Sequence, residues 1–345
     1  MERIRAKSVR ATQAYQLVDR LQHHFVNKLT AISKLLGSGQ NFETIEWFRD
    51  DGKQGGGLRF VATDNNVFNR GSVNLSQVQY DNDESKNLAS ATAISTIIHP
   101  KNPLAPSVHM HISWTELKNT QGYWRIMADL NPSIENTDDK SKFVNALQQA
   151  APQQYPKAAT QGDRYFYIPA LERHRGVTHF YLENYNTGNN ETDIALAERV
   201  GESVIDCYCE LLQTTLASHI KPTDNDDKKQ LAYHTLYFFQ VLTLDRGTTS
   251  GLLVHNQNDV GILGSLPSHI NKSLVISWIA KLQTPQDQLL KNIIKCLPDH
   301  EVCPVDNVTK QKLAQAIREH YKKYPQAIDM QAHGDTIPTT VSNHR

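Results

Sequence analysis

The chain has 345 residues, and its 36 Lys and Arg residues balance 36 Asp and Glu residues, which gives a formal net charge of +0 at pH 7. This balance argues against a protein that binds nucleic acid or an anionic membrane surface through a general positive field. No apolar run approaches the roughly 18 residues of a membrane span, and the charged N-terminus and four cysteines favour a cytoplasmic protein without disulfides.

The N-terminal part begins with a predicted amphipathic helix over residues 9–36, where apolar side chains recur at steps of three and four residues. Turn residues then separate short apolar runs between residues 42 and 78, which predicts a set of β-hairpins. Gly55-Gly56-Gly57 lies in this region, but it lacks the Gly-Lys-Ser/Thr ending and the following helix of a phosphate-binding loop. We therefore interpret these glycines as a flexible turn.

The segment 94–114 carries the most informative pattern of the chain. Two-residue alternation places His109, His111 and Ser113 on one face of a strand and an apolar set on the other. The apolar set comprises Val108, Met110, Ile112 and Trp114. The polar face has two interpretations, because the histidines either face solvent or form the floor of a small-molecule pocket with a proton-transfer group.

Periodicity predicts further elements along the rest of the chain. In the middle they are a helix over 139–155, a strand over 165–169, a strand over 177–183 and a helix over 192–219. Towards the C-terminus they are a solvated linker over 221–229, a strand over 236–244, a hairpin of 251–254 with 260–263, a helix over 309–324 and a disordered tail from about 331. Strands and long helices without regular βαβ alternation indicate an α+β domain.

Many landmarks recur in the order of one known family. They are Gly55-Gly56-Gly57, Val67-Phe68, Val73-Asn74-Leu75-Ser76, His99-Pro100 with Asn102-Pro103 and His109, Asp129-Leu130, Tyr165-Phe166, Arg175-Gly176-Val177, Asp245-Arg246-Gly247-Thr248 and Ser265-Leu266-Pro267. Together they resemble the oxygen-dependent coproporphyrinogen III oxidase family over roughly residues 40–290. The resemblance implies a large antiparallel β-sheet flanked by α-helices on both faces, a homodimer and no organic cofactor. It also implies that O2 is a co-substrate in the conversion of two propionate side chains of coproporphyrinogen III to vinyl groups with release of CO2.

The resemblance implies functional roles one position at a time. Ser95 matches the family's substrate-contacting serine. His99 and His109 match its two proposed metal ligands, so a divalent metal is one implied possibility, and His109 also matches its proposed proton donor. We take His109 as the acid or base, His111 as a partner imidazole and Glu183 as the acid that orients one of them.

Several family positions carry different side chains here. Family arginines fall on the neutral residues Ser113, Leu171, Leu236 and Asn258, and family glycines fall near residues 125–127. Because buried carboxylates need cationic or amide partners, the pocket is expected to be smaller and less basic than one built for a four-carboxylate macrocycle. The candidate substrate-binding residues are Ser95, Ser113, Arg175, Arg246, Asn256 and Asn258, with a structural role as the alternative for Arg246.

Three functions follow from this reasoning. The first is an oxidoreductase of the coproporphyrinogen III oxidase type, active in haem biosynthesis. The second is a diverged O2-using oxidase or decarboxylase that acts on a smaller, less anionic, electron-rich substrate. The third is a non-catalytic relative that binds a tetrapyrrole or a partner protein. We expect one catalytic domain over residues 1–300, and a C-terminal helix with a polar tail over 301–345.

Overall fold

A seven-stranded antiparallel sheet organises the computed structural model of the chain, which describes residues 2–337 and residue 341. In chain order the strands are β1 Glu43–Phe48, β2 Gly55–Val61, β3 Phe68–Gln79, β4 Leu88–Pro100, β5 Ser107–Leu117, β6 Tyr123–Asn131, β7 Tyr167–Ile168, β8 Arg173–His174, β9 Thr178–Tyr185, β10 His269–Asn271 and β11 Val302–Pro304. The large sheet has the order β1-β2-β3-β4-β5-β6-β9, and β7 with β8 and β10 with β11 form separate short pairs. The predicted α+β class is confirmed.

Helices cover both faces of the large sheet. They are α1 Val9–Leu36, α2 Thr137–Ala150, α3 Tyr155–Phe166, α4 Asn190–Ala217, α5 Asp224–Thr243, α6 Arg246–Val254, α7 Asp259–Ile262, α8 Lys272–Ser277, α9 Gln286–Lys295 and α10 Asn307–Lys323. One core lies between the sheet and α1, α2 and α4, and a second core joins the other face to α5 through α10. Among the helices of residues 2–337, none has both the length and the apolar character needed to cross a bilayer.

The alternating strand predicted from the histidine segment is confirmed as β5. Val108, Met110, Ile112 and Trp114 are all buried in the first core. His109 therefore lies on the opposite face with the other polar residues of the strand, because successive side chains of a strand alternate. The amphipathic helices predicted over 9–36, 192–219 and 309–324 are also present, with ends shifted by at most two residues.

The strand predicted over 236–244 is wrong, because these residues form the second half of α5. Thr223 caps this helix and exchanges hydrogen bonds with Asp226, so the charged segment predicted as a linker is its first turn. Every residue from 233 to 243 is buried between the sheet and the C-terminal helices. A segment that is buried on all sides shows no 3.6-residue pattern of apolar residues. Its aromatic and β-branched residues therefore favoured a strand in the sequence-based prediction.

Three other predictions are corrected in the same way. The hairpin of 251–254 with 260–263 is replaced by α6 and α7, and most of the strand predicted over 165–169 belongs to the end of α3 and the short β7. The predicted tail is ordered at least as far as Asp335, because Gln331 is buried and Asp335 pairs with Arg164 at 2.8 Å. The remainder of that predicted tail, at 338–340 and 342–345, lies outside the described residues.

The C-terminal helix α10 is attached to the second core and to the elements above the sheet. Arg318 donates hydrogen bonds from Nε to the carbonyl oxygen of Leu252 at 2.8 Å and from Nη1 to Asp259 at 2.9 Å. A third hydrogen bond joins Arg318 Nη2 to the carbonyl oxygen of His255 at 3.1 Å. One side chain thus holds α6, α7 and the segment between them against α10. The domain boundary at residue 300 stays a prediction.

Candidate active site

A cavity of about 300 Å³ lies between the second face of the sheet and the helices above it. Strands β3 to β6 form its floor, the ends of α3 and α5 form its sides, and α6, α7 and the turn after α7 form its roof. The candidate residues Ser95, His109, His111 and Ser113 all line it. The sheet thus brings to one cavity the polar face that the sequence predicted, rather than exposing this face to bulk solvent.

The centre of the floor consists of small side chains in cross-strand rows. One row pairs Asn74 with Ser95 and Ser95 with His111, and the next pairs Ala93 with Ser113. The small residues that β3 and β4 contribute are Ser72, Asn74, Ser76, Ala91, Ala93 and Ser95. They leave a floor without large projecting side chains, which gives room for a broad ring. Sequence reasoning missed most of them, although their alternation in both strands was a readable signal.

His109 is held at the cavity wall by a buried carboxylate. Its Nδ1 donates a hydrogen bond of 2.6 Å to Oδ1 of Asp129, its direct cross-strand neighbour. The other oxygen of Asp129 accepts hydrogen bonds from Arg175 Nη2 at 2.7 Å and from Asn131 Nδ2 at 2.6 Å. The side chain of His109 is 18% exposed, whereas that of Asp129 is fully buried. Asp129 was not among the predicted site residues.

This arrangement fixes the tautomer of His109. Burial alone would raise the pKa of Asp129, but the positive charge of Arg175 outweighs burial and holds this pKa well below its ordinary value. Asp129 is therefore ionised at neutral pH and keeps the proton of His109 on Nδ1. His109 Nε2 has no partner in the described part of the chain, and it is the ring nitrogen that can exchange a proton with a bound molecule.

His111 is engaged differently from His109. Its Nδ1 lies 2.6 Å from Ser95 Oγ and its Nε2 lies 3.0 Å from Ser113 Oγ, so both ring nitrogens are hydrogen-bonded. Burial, together with the nearby charge of Arg125, lowers the pKa of His111 well below its ordinary value. His111 is thus a neutral ring that fixes two hydroxyl groups on the cavity floor.

Glu183 does not contact either histidine through a hydrogen bond. Both its oxygens accept from Arg125, which donates from Nε at 3.1 Å and from Nη2 at 3.0 Å. Burial alone would lower the pKa of Arg125, but the negative charge of Glu183 outweighs burial and raises this pKa above its ordinary value. The carboxylate that orients the candidate base is therefore Asp129, and Glu183 instead neutralises a cation at the edge of the floor.

His99 lies apart from the cavity, fully buried in a polar contact of its own. Its Nε2 donates to the carbonyl oxygen of Ser265 at 3.2 Å, and its Nδ1 accepts from Ser107 Oγ at 2.9 Å. Burial lowers the pKa of this ring well below its ordinary value. Since both nitrogens of His99 and Nδ1 of His109 are occupied, the pair does not fit a shared divalent metal. Residues 2–337 hold no group of three or more side chains that could bind one.

Of the remaining candidates, Arg175 lies at the side of the cavity, and Arg246, Asn256 and Asn258 lie on or near the roof. Arg175 is almost completely buried and is committed to Asp129 and Gln240, while Arg246 donates from Nη2 to the carbonyl oxygen of Ile328 at 2.8 Å. Asn258 lines the cavity, whereas Asn256 is exposed and does not. Of the six candidate substrate-binding residues, Ser95, Ser113, Arg175 and Asn258 are thus brought together at the cavity.

Three further basic side chains lie behind the roof, and we call Arg59, Arg70 and Lys310 the cationic cluster. Arg59 and Lys310 are 6% and 3% exposed. In the described residues none of the three forms an ion pair. Glu43 attracts the charge of Arg59, and Asp306 that of Lys310, only from beyond ion-pair distance. Burial, assisted by Arg70 and Arg59, lowers the pKa of Lys310 to about 7. Sequence reasoning did not identify this cluster.

The low pKa of Lys310 predicts a pH-dependent stability. Folded Lys310 releases its proton near pH 7, whereas an unfolded lysine keeps its proton up to its ordinary pKa of 10.5. The unfolded state therefore binds more protons between these values, so Lys310 should make the free energy of unfolding rise with pH by up to about 1.4 kcal/mol per unit. Urea denaturation at pH 7, 8 and 9 measures this slope.

Lys310→Met should flatten the slope. The control Lys312→Met, on the exposed side of the same helix, should not change it. Equal slopes for the wild type and Lys310→Met would contradict the expectation.

Comparisons with known proteins agree with this geometry. The family model described as coproporphyrinogen III oxidase matches residues 13–296. A Rickettsia bellii (strain OSU 85-389) protein named oxygen-dependent coproporphyrinogen-III oxidase is 30% identical over 243 residues, which are 66% of this chain and 84% of that protein. The Drosophila melanogaster protein of this name is 28% identical over 277 residues, 73% of this chain and 69% of that protein. The mitochondrial protein of Rattus norvegicus is 28% identical over 282 residues, 74% of this chain and 61% of that protein.

Proposed function

Because the chain belongs to the coproporphyrinogen III oxidase family, we propose that it is an oxygen-dependent coproporphyrinogen III oxidase. Each propionate side chain would lose CO2, one proton and two electrons and become a vinyl group. The four electrons from two side chains reduce one O2 to two waters, with four protons taken up. This function is favoured over a diverged oxidase for smaller rings and over a non-catalytic binding protein, since the family match spans most of the chain.

The observation that carries the proposal is the orientation of His109. Asp129 holds Nδ1, so Nε2 is the nitrogen available to a molecule on the cavity floor. An electron-rich pyrrole reacts with O2 once its N–H proton is removed, and a positioned imidazole is a suitable base for that step near neutral pH. His109 would accept this proton and return it in a later step, with Asp129 stabilising the imidazolium that forms.

The cavity supports binding of the ring through shape and hydrogen bonds. The floor of small residues leaves room for a broad macrocycle. The serine hydroxyl that accepts from His111 keeps its own proton, so this hydroxyl and the amide of Asn258 can donate to polar atoms of the ring. Arg125 and Arg175 each face a carboxylate of the protein itself. They therefore have less charge to offer the carboxylates of the substrate than unpaired arginines would.

Two further parts of the proposal concern assembly and location. The family resemblance implies a homodimer, whereas the cytoplasmic location is an expectation from the sequence. Light scattering on the purified protein tests the first, since a homodimer has twice the 39.0 kDa mass of the chain, and fractionation of the source cells tests the second.

Aerobic turnover of coproporphyrinogen III tests the function directly. We expect two CO2 released per divinyl product and no reaction when O2 is removed, measured by CO2 capture and chromatography of the oxidised porphyrins. O2 consumption with a pyrrole, indole or phenol, but none with coproporphyrinogen III, would instead favour the diverged oxidase. Binding of the porphyrin without any oxidation would favour the non-catalytic relative.

A further inference from the structure

We propose that the cationic cluster of Arg59, Arg70 and Lys310 is an anion-binding subsite that receives one carboxylate of the substrate. The inference rests on the proposed function for the identity of the ligand. The three side chains lie behind the roof rather than in the lining of the cavity, so the subsite would extend the cavity past Asn258 and Gly261. It lies partly outside the family-matched segment, since Lys310 lies beyond residue 296.

The position of Arg59 connects the cluster to the cavity. Arg59 is the cross-strand partner of Asn74, and directly opposed side chains of an antiparallel pair point to the same face of the sheet. Asn74 lines the cavity, as do Asn258 and Gly261 on the roof. A side chain on Gly261 would overlap both Nη1 of Arg59 and Oδ1 of Asn258, so both atoms lie against Gly261, although no hydrogen bond joins them. The guanidinium of Arg59 thus occupies the space that a side chain at Gly261 would need, directly behind a residue that lines the cavity.

Arg59 lacks the partner that a buried arginine normally has. Its Nη1 is completely buried and has no hydrogen-bond acceptor among the described residues. A buried charge without a partner is strongly unfavourable, so it calls for an explanation, and a bound anion is one that would satisfy it. Arg125 and Arg175 give the internal comparison, because each of these buried guanidinium groups is paired with a carboxylate of the chain.

Arg70 adds a second positive charge beside Arg59, and Lys310 adds a third when it is protonated. Arg70 donates from Nε to the carbonyl oxygen of Leu266 at 3.2 Å, which places it at the turn after α7. The charges of Arg70 and Arg59 both act on Lys310. A carboxylate carries one negative charge and accepts several hydrogen bonds, so it matches a guanidinium with free donors. The subsite would also offset the neutral side chains at Ser113 and Asn258, where the family has arginines.

Simple carboxylates test the subsite without the ring. Sodium propionate should raise the Tm of the wild-type protein more than sodium chloride at equal ionic strength, and neutral propionamide should not. Arg59→Gln should abolish this extra shift. Its ligand-free Tm should equal or exceed that of the wild type, because an unpaired buried charge has been removed, whereas a purely structural Arg59 would make the variant less stable.

Binding of coproporphyrin III, the oxidised fluorescent ring with the same four carboxylates, tests the link to the substrate. Arg59→Gln and Lys310→Met should each weaken its Kd about tenfold to a hundredfold, and the control Lys312→Met should leave it unchanged. Wild-type Kd values in both cluster variants would overturn the proposal, even if the protein is an active oxidase. A propionate effect that depends on Arg59 without any change in porphyrin binding would assign the cluster to a free small anion and also overturn it. If the wild type neither binds nor oxidises the ring, the proposed function fails, and the propionate comparison alone decides for or against the subsite.

Discussion

Replacing His109 by Asn is expected to lower kcat for coproporphyrinogen III by about a hundredfold to ten-thousandfold, the range of a lost general acid or base. KM should change little, because binding depends on the floor and on the carboxylate contacts rather than on the proton acceptor. The free energy of unfolding should fall only modestly, since the His109 side chain is partly exposed. Single-turnover samples that are quenched, oxidised to porphyrins and separated by chromatography give the rate of the chemical step.

His111→Asn is the matched control, because the two histidines lie two residues apart on the same strand. His111 is neutral and has both ring nitrogens bonded to serine hydroxyls, so its loss should act mainly on KM. A larger loss of kcat in His111→Asn than in His109→Asn would reverse the roles given to these residues.

The second large effect is expected at Asp129. Asp129→Asn removes the counterion of buried Arg175 and the acceptor that fixes the proton on His109 Nδ1. Breaking a buried ion pair from one side destabilises a protein by about 3–5 kcal/mol, so urea denaturation should show a loss of this size. In the fraction that remains folded, kcat should fall by about a hundredfold or more, because the wrong tautomer of His109 becomes populated.

Glu183→Gln separates these two consequences. It breaks the other buried pair of the cavity, that of Arg125, and should lower stability by a similar amount. It leaves the hydrogen bond between Asp129 and His109 in place, so the pH profile of kcat should keep its wild-type shape. If Asp129→Asn and Glu183→Gln had the same kcat and the same pH profile, Asp129 would be structural only.

The sequence predicted the features that depend on local alternation. The two faces of β5 followed from its two-residue period, and α1 followed from its 3.6-residue period, because each has one buried and one polar side. The fold class and the cavity-facing histidines could be inferred for this reason. The second half of α5 was misassigned because it is buried all round and offers no period to read.

The charge partners in the site could not be predicted in the same way. Asp129 lies opposite His109 only because of the register between β5 and β6, and this register pairs residues 20 positions apart. Arg125 and Glu183 come from two strands separated by α2 and α3. The local sequence shows Asp129 only as a single carboxylate in the apolar run of β6. This pattern does not indicate that its partner is His109.

Because Arg318 holds the roof, two segments of the chain contribute to the site in different ways. The floor and His109 belong to the segment that the family model matches, whereas Arg318, which holds the roof in place, belongs to α10, beyond residue 296. We expect release of a bulky product to require displacement of α6 and α7, and such opening motions often limit the turnover of an enzyme. We therefore expect substitutions in α10 to change the rate of product release without changing the rate of the oxidative step. The turnover rate and the chemistry of this protein can then evolve separately.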